Sequence, residues 1–291
     1  TGDRSFAYVL GNSDPELSFF YRIAGFWAGQ QGSFLFWLVL LAVVNAVLAV
    51  RGARRGNRLD AGAVLVLSAV CAFFAALMVI DAGSDPFVAN TDSSAVPAGL
   101  NPLLLHPAMA LHPPALFLGY VGLAVPFAYA LSAASLRRAD LAWIEHSQRW
   151  AIGGWLFLSL GIGLGAWWAY VILSWGGYWG WDPVENTSLI PWLTATAMLH
   201  AFTLYRRRGV MKRWSLILAV VTFWLTVVAT WTTRTGVISS VHAFEARTTL
   251  LVVLSAFLLV TAAVGAVLVV RARRVFRGDR ELGSLLSRDF L

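Results

Sequence analysis

Ala61-Gly-Ala-Val-Leu-Val-Leu-Ser-Ala-Val-Cys-Ala-Phe-Phe-Ala-Ala-Leu-Met-Val-Ile80 runs for twenty residues without a charged side chain. An α-helix needs about 20 such residues to cross the hydrocarbon core of a bilayer, where every backbone polar group must be satisfied within the segment. Outward from it, comparable runs occupy 34–50, 115–135, 151–173, 187–205, 214–231 and 249–270. The run 34–50 is short and either borrows from 27–32 or tilts little. The predicted fold is therefore all-α, a polytopic transmembrane helix bundle of about seven spans. Composition agrees: 58% of residues are hydrophobic and 13% charged, against about 25% charged in a soluble domain. A soluble globule and a disordered chain are both excluded.

The charges alternate between the ends of these runs. One set of connections holds Arg51, Arg54, Arg55, Arg58, Arg137, Arg138, Arg149, Arg206, Arg207, Arg208, Lys212 and Arg213, and the tail from Arg271 to Arg288 completes 18 of the 22 Lys and Arg. Cationic loops stay in the cytoplasm. The N-terminus is therefore expected outside and the C-terminus inside. The net charge of +7 is a topology signal, and nucleic acid is not an expected partner. Residue 1 is Thr with no export signal before it, and Phe290-Leu291 reads as the start of another helix. We expect a segment of a longer membrane protein, or one part of a split one.

The external segments 81–114, 167–186 and 232–248 carry the unusual chemistry. Six of the 14 Trp fall between 167 and 192. Trp167, Trp168, Tyr170, Trp175, Gly176, Gly177, Tyr178, Trp179, Trp181 and Asp182 read as a platform for a large planar ligand. Glycine permits close backbone approach, and aromatic faces offer a broad polarisable surface. An interfacial aromatic belt is the alternative, but a belt would spread over helix ends on both sides. Asp182-Pro183-Val184-Glu185 is also a helix-start signature, with Asp at the N-cap, Pro at N1 and Glu at N3.

The single cysteine, Cys71, excludes a disulfide within the chain, a CxxCH site and a cysteine metal cluster. Of the five histidines, His146 stands among charged residues in a cytoplasmic connection and reads as a solvated surface residue. His200 lies within a span, where an ionisable side chain is a functional candidate. His112 and His242 flank the Trp segment in the external loops. Two neutral imidazoles beside an aromatic platform suit six-coordinate haem iron. Zinc normally takes three or four protein ligands.

Trp175-Gly-Gly-Tyr-Trp-Gly-Trp-Asp-Pro-Val-Glu-Asn186 resembles the tryptophan-rich WWD signature of the haem-handling proteins of cytochrome c maturation, the CcmF, CcsA and NrfE family. Gly99-Leu-Asn-Pro-Leu-Leu104, His112-Pro-Pro-Ala-Leu-Phe-Leu-Gly-Tyr120 and Thr233-Arg-Thr-Gly-Val-Ile-Ser-Ser-Val-His-Ala-Phe244 extend the resemblance over essentially the whole chain. It implies a single cytochrome c assembly membrane domain over 1–291 in the inner (plasma) membrane. Haem b would arrive at the external face on the chaperone CcmE and sit on the WWD segment, with His112 and His242 on the iron. Its vinyl groups would then be joined to the CxxCH thiols of an apocytochrome c presented by a CcmH-type subunit. The resemblance also implies a second haem b in the membrane, fed from quinol, with His200 as one axial ligand and the other ligand beyond Leu291. His106 stands where the family usually has an acidic residue, so it competes with His112, which the Pro113-Pro114 context favours. Arg234, close to His242, is a candidate partner for a haem propionate. Two other readings are a transmembrane haem transporter and a structural subunit that docks maturation partners. Apart from His200, Asn45 and scattered Ser and Thr, the spans offer little polar lining for a transporter.

Overall fold

The computed structural model describes residues 2–92, 94–173 and 176–277. Two short helices, α1 (Ala7–Asn12) and α2 (Phe19–Ala28), precede seven long ones. These are α3 (Gln30–Arg55), α4 (Arg58–Ile80), α5 (Pro107–Ser135), α6 (Ala142–Ile172), α7 (Pro183–Arg208), α8 (Lys212–Thr235) and α9 (Thr248–Ala272). Each predicted span falls inside one long helix, except that 151–173 runs one residue past α6 to its C-cap, Leu173. The short run 34–50 is lengthened at both ends, beginning at Gln30, so the helix needs no unusual tilt. Six of the seven are apolar enough to cross a membrane by their own composition. The exception, α7, opens with Glu185, Asn186, Thr187 and Ser188 and ends in Arg206, Arg207 and Arg208.

Local chemistry sets the turns. Gly56 ends α3 at a φ of 61°, and the Asn57 side chain then accepts the Asp60 N–H to start α4. Gly209 closes α7 at a φ of 70° in the same way. These tight reversals make antiparallel pairs, α3 with α4 and α7 with α8.

The bundle is built around α5, which is buried almost all round and packs most extensively on α6. Small residues bring the two backbones together. A Cβ on Gly122 would lie 2.6 Å from the Gly154 Cα, the close approach by which membrane helices gain packing energy without a hydrophobic driving force. Trp37, Phe74, Phe117 and Tyr120 interlock across α3, α4 and α5, and Phe127 stacks on Phe223 of α8 at 4.4 Å.

The basic ends of the helices gather at one end of the bundle. Arg213 donates to the Arg273 carbonyl, Arg206 bonds Gln148, and Arg55 reaches Asp60 at 3.3 Å. His146 belongs to this end and corrects an expectation: its Nδ1 stands 3.1 Å from the buried Asp60 carboxylate, and the ring meets Tyr129 edge-on. Asp60 also accepts from the Tyr129 hydroxyl at 2.6 Å and from the Asn57 side-chain amide at 2.8 Å. Counting charged neighbours in the sequence overlooked Asp60, which comes from a different helix pair.

Candidate functional site

At the opposite end a cavity of about 310 Å³ opens between α2, α5, α6, the start of α7, α8 and the segments leading into α5 and out of α8. Its walls are mainly apolar and aromatic, including Trp27, Phe117, Tyr120, Trp168, Trp179 and Phe244. His112, His242, Arg234 and Glu185 are its titratable lining groups with Tyr120. Ligand pockets of roughly 300–1,000 Å³ with few polar groups on apolar walls are the usual form of a small-molecule site.

His112 enters from α5, whose first turns form differently from expectation. The helix begins at Pro107, so His112 is helical and not in a loop. Pro113 and Pro114 carry no N–H, and the carbonyls four residues earlier lose their helical donors. The Ala110 carbonyl is instead satisfied by the Trp27 indole N–H at 3.0 Å. A second indole, Trp168, donates to the Leu103 carbonyl at 3.0 Å just upstream. Two tryptophans thus clasp the stretch that presents His112.

The imidazole of His112 lies against α6. Its Nδ1 is 2.7 Å from the Gly161 carbonyl oxygen. A carbonyl only accepts, so Nδ1 carries the proton and the neutral ring keeps its lone pair on Nε2. Gly165 makes room: a Cβ there would come within 2.7 Å of the His112 Cε1. The glycines of Gly161-Ile-Gly-Leu-Gly165, one turn apart, are the sequence signal that the histidine has a seat on α6.

His242 comes from the segment after α8. Its Nδ1 faces the Asp182 carboxylate at 3.2 Å, and its ring packs edge-on against Trp168 at 5.6 Å. A carboxylate acceptor sets the same tautomer as at His112. Asp182 is also the N-cap of α7, accepting the Val184 N–H at 2.9 Å, while Glu185 Oε2 accepts the Asp182 N–H at 3.1 Å to complete a capping box. Ser240 donates to the same Asp182 oxygen at 2.7 Å. Burial raises the Asp182 pKa, but the bonds from Ser240 and Val184 and the neighbouring His242 outweigh it and hold the carboxyl below the usual range. Asp182 therefore combines a capping role with a direct contact to His242.

Arg234 closes the cavity from the end of α8. It is 6% exposed, lies over the Phe244 ring at 4.0 Å, and its Nη1 is buried with no hydrogen-bond partner. Among the described residues no carboxylate pairs with it.

The aromatic platform divides. Trp168 and Trp179 line the cavity. Trp167, Tyr170, Tyr178 and Trp181 are exposed, with Tyr170 and Tyr178 stacked at 4.4 Å, and Gly176 and Gly177 do not line the cavity. Trp167 and Tyr170 sit on the last turns of α6, so helical periodicity turns them away from Trp168. Trp181 takes a φ of 56°, strained for a bulky residue, directly before Asp182. Trp175 lies outside the described residues. His106 caps α5 through its Nδ1 and packs on Trp167, but does not line the cavity. His200 is exposed on the outer face of α7, in line with Ile190, Leu193 and Ala197.

Among the described residues no three His, Cys, Asp or Glu side chains converge as a metal cluster. Two imidazoles suit a metal whose remaining ligands arrive with a macrocycle. The orphan guanidinium suits a carboxylate-bearing ligand. The donor set fits haem.

Comparison with known proteins bears on this cavity directly. The family model described as cytochrome C assembly protein matches residues 27–242, beginning and ending on cavity-lining residues. A cytochrome c-type biogenesis protein CcmF of Pseudomonas aeruginosa is 38% identical over 258 residues, covering 88% of this chain and 39% of that protein. A probable cytochrome c-type biogenesis protein NrfE of Escherichia coli K12 is 43% identical over 242 residues, covering 83% of this chain and 44% of that one. A solved structure described as cytochrome c heme lyase CcmF superposes with a TM-score of 0.74 at 30% identity, over 99% of this chain and 42% of its own. The chain spans less than half the length of these relatives. With its model matched over most of the sequence and its fold shared with a solved relative, the chain belongs to the cytochrome C assembly protein family.

Proposed function

We propose that this domain holds haem b at the extracytoplasmic face of the inner membrane and takes part in its covalent attachment to apocytochrome c. One observation carries the reading: two imidazoles on separate elements line one aromatic cavity together with a buried, unpaired guanidinium. His112 and His242 would hold the iron through Nε2, Trp168 and Trp179 would wall the same cavity, and Arg234 would be available to a propionate. Haem would supply vinyl groups, each of which takes up one cysteine S–H across its double bond to give a thioether. The domain's own contribution is to fix both imidazoles, exclude water with apolar walls and place the reacting edge, which is positioning chemistry. The relatives' names support a place in cytochrome c biogenesis. The haem chaperone CcmE, a CcmH-type subunit, apocytochrome c and quinol are proposed partners on the resemblance. The gathering of basic residues at the far end supports the external placement of the cavity and a cytoplasmic end for α9. His200 is proposed as a ligand of a second haem, and its outward position on α7 suits a ligand set completed by another segment.

The test is the absorption spectrum of detergent-purified protein from a haem-replete host, oxidised and reduced. A low-spin bis-histidine haem b spectrum lost in His112→Gly and in His242→Gly is expected, with His106→Gly unchanged. A colourless wild-type protein overturns the reading.

A further inference from the structure

The two imidazoles share a tautomer but not a partner. Nδ1 of His112 donates to a neutral peptide carbonyl at 2.7 Å, and Nδ1 of His242 faces a carboxylate at 3.2 Å. That carboxylate is 8% exposed on its side chain and fixed by Ser240 and by its own N-cap bond. Ser240 Oγ also accepts the backbone N–H of His242 at 3.0 Å, which closes a ring through both residues. The longer contact costs little of an attraction that falls only as the inverse of distance. A carboxylate behind an imidazole draws the Nδ1 proton toward itself and makes Nε2 a stronger donor, whereas a peptide carbonyl does so weakly. Hydrogen bonds to an ionised acceptor are roughly twice as strong as neutral ones.

Resting on the proposed haem reading, we infer that Asp182 is a positioning residue that makes the two axial positions unequal. His242 is the retained, strongly donating ligand, and His112 is the one that yields to an incoming group. The inequality gives the site a direction, because His112, on the α5–α6 side, would be the residue to yield while the Asp182–His242 pair would hold.

The experiment compares wild type, Asp182→Asn, Asp182→Glu and Ser240→Ala as full chains in detergent. Asn is as good an N-cap as Asp and its carbonyl oxygen can still accept all three bonds, so Asp182→Asn removes the charge and keeps the geometry. A higher midpoint potential is expected in Asp182→Asn, since a weaker donor favours ferrous iron. Ser240→Ala takes a competing donor off the oxygen that faces His242, so it shifts the potential the opposite way by less, and Asp182→Glu returns it toward wild type. Haem retention on dilution is expected to be about three- to tenfold greater in His112→Gly than in His242→Gly. A wild type without haem overturns the haem reading and this inference with it. A haem-loaded wild type whose potential is the same in Asp182→Asn and in Ser240→Ala overturns the inference alone. Should Asp182→Asn fail to fold, Ser240→Ala, which leaves the Asp182 N-cap side chain in place, decides the question.

Discussion

Adding one methyl group at Gly165 should separate haem binding from folding. A Cβ at this position would meet His112 at 2.7 Å from Cε1 and 2.9 Å from Nδ1, well inside contact distance. The ring must swing off α6, and its 2.7 Å bond to the Gly161 carbonyl breaks with it. Losing that bond costs about 0.5–1.5 kcal/mol, and the residual crowding about 1–3 kcal/mol. Ala is about 1 kcal/mol better than Gly in a helix interior, so the stability of Gly165→Ala should fall by only about 1–3 kcal/mol. The displaced imidazole no longer sits where the proposed haem site needs it, so haem occupancy should fall by about tenfold or more, since a 1 Å misplacement at a site can cost 10²-fold. Gly163 supplies the control. It lies on the same helix with nothing within 4 Å of an added Cβ, so Gly163→Ala should keep its haem and gain slightly in stability. The assay is haem content per protein together with thermal unfolding by circular dichroism. If Gly165→Ala keeps the haem content and spectrum of Gly163→Ala, the seating of His112 on α6 is wrong.

Three further outcomes follow from the same contacts. Arg234→Met should leave thermal stability unchanged or raised, because it removes a buried cation with no carboxylate beside it and an Nη1 without a hydrogen bond, while haem affinity falls several-fold; a stable variant with full haem refutes the propionate assignment. Tyr129→Phe deletes the 2.6 Å bond to Asp60 and should destabilise the bundle by about 1–3 kcal/mol in a denaturant titration, with the haem spectrum untouched because the lesion is at the other end. In a Cys71→Ser background, Ser94→Cys should react with a membrane-impermeant thiol reagent in intact spheroplasts and Arg138→Cys only after lysis; the reverse pattern inverts the orientation.

The spans were legible because uninterrupted apolar runs leave the backbone no choice but helix, and their ends were marked by Gly56, Asn57 and Gly209. His112, His242 and Arg234 were legible as single residues, each an unusual side chain near the external end of a span. Their setting was not. Tryptophans in one stretch read alike, yet a 3.6-residue period puts Trp168 in the cavity wall and Trp167 on the surface. His146 read as solvated because its partner, Asp60, arrives from a helix more than eighty residues earlier. α1 and α2 have no long periodic pattern, so only tertiary contacts, such as the Tyr8 hydroxyl donating to the Gly25 carbonyl at 3.0 Å, reveal why they form.

The placement of the cavity follows from the burial of α5. A helix surrounded by neighbours can hold a side chain in one orientation, but it must still satisfy the backbone groups its prolines release. Both needs meet at the same turn. Pro114 frees the Ala110 carbonyl, Trp27 satisfies it, and the residues between them include His112. The clasp that repairs the helix therefore also fixes the ligand, and α6 supplies the seat through the Gly161 carbonyl and through Gly165, where a larger residue would meet the ring. His242 is held instead by a loop whose geometry is set at the N-cap of α7. One imidazole is thus held by helix packing and the other by a charged cap, and substitutions should reach them separately: Gly165 acts on His112 without touching Asp182, and Asp182 acts on His242 without touching α6.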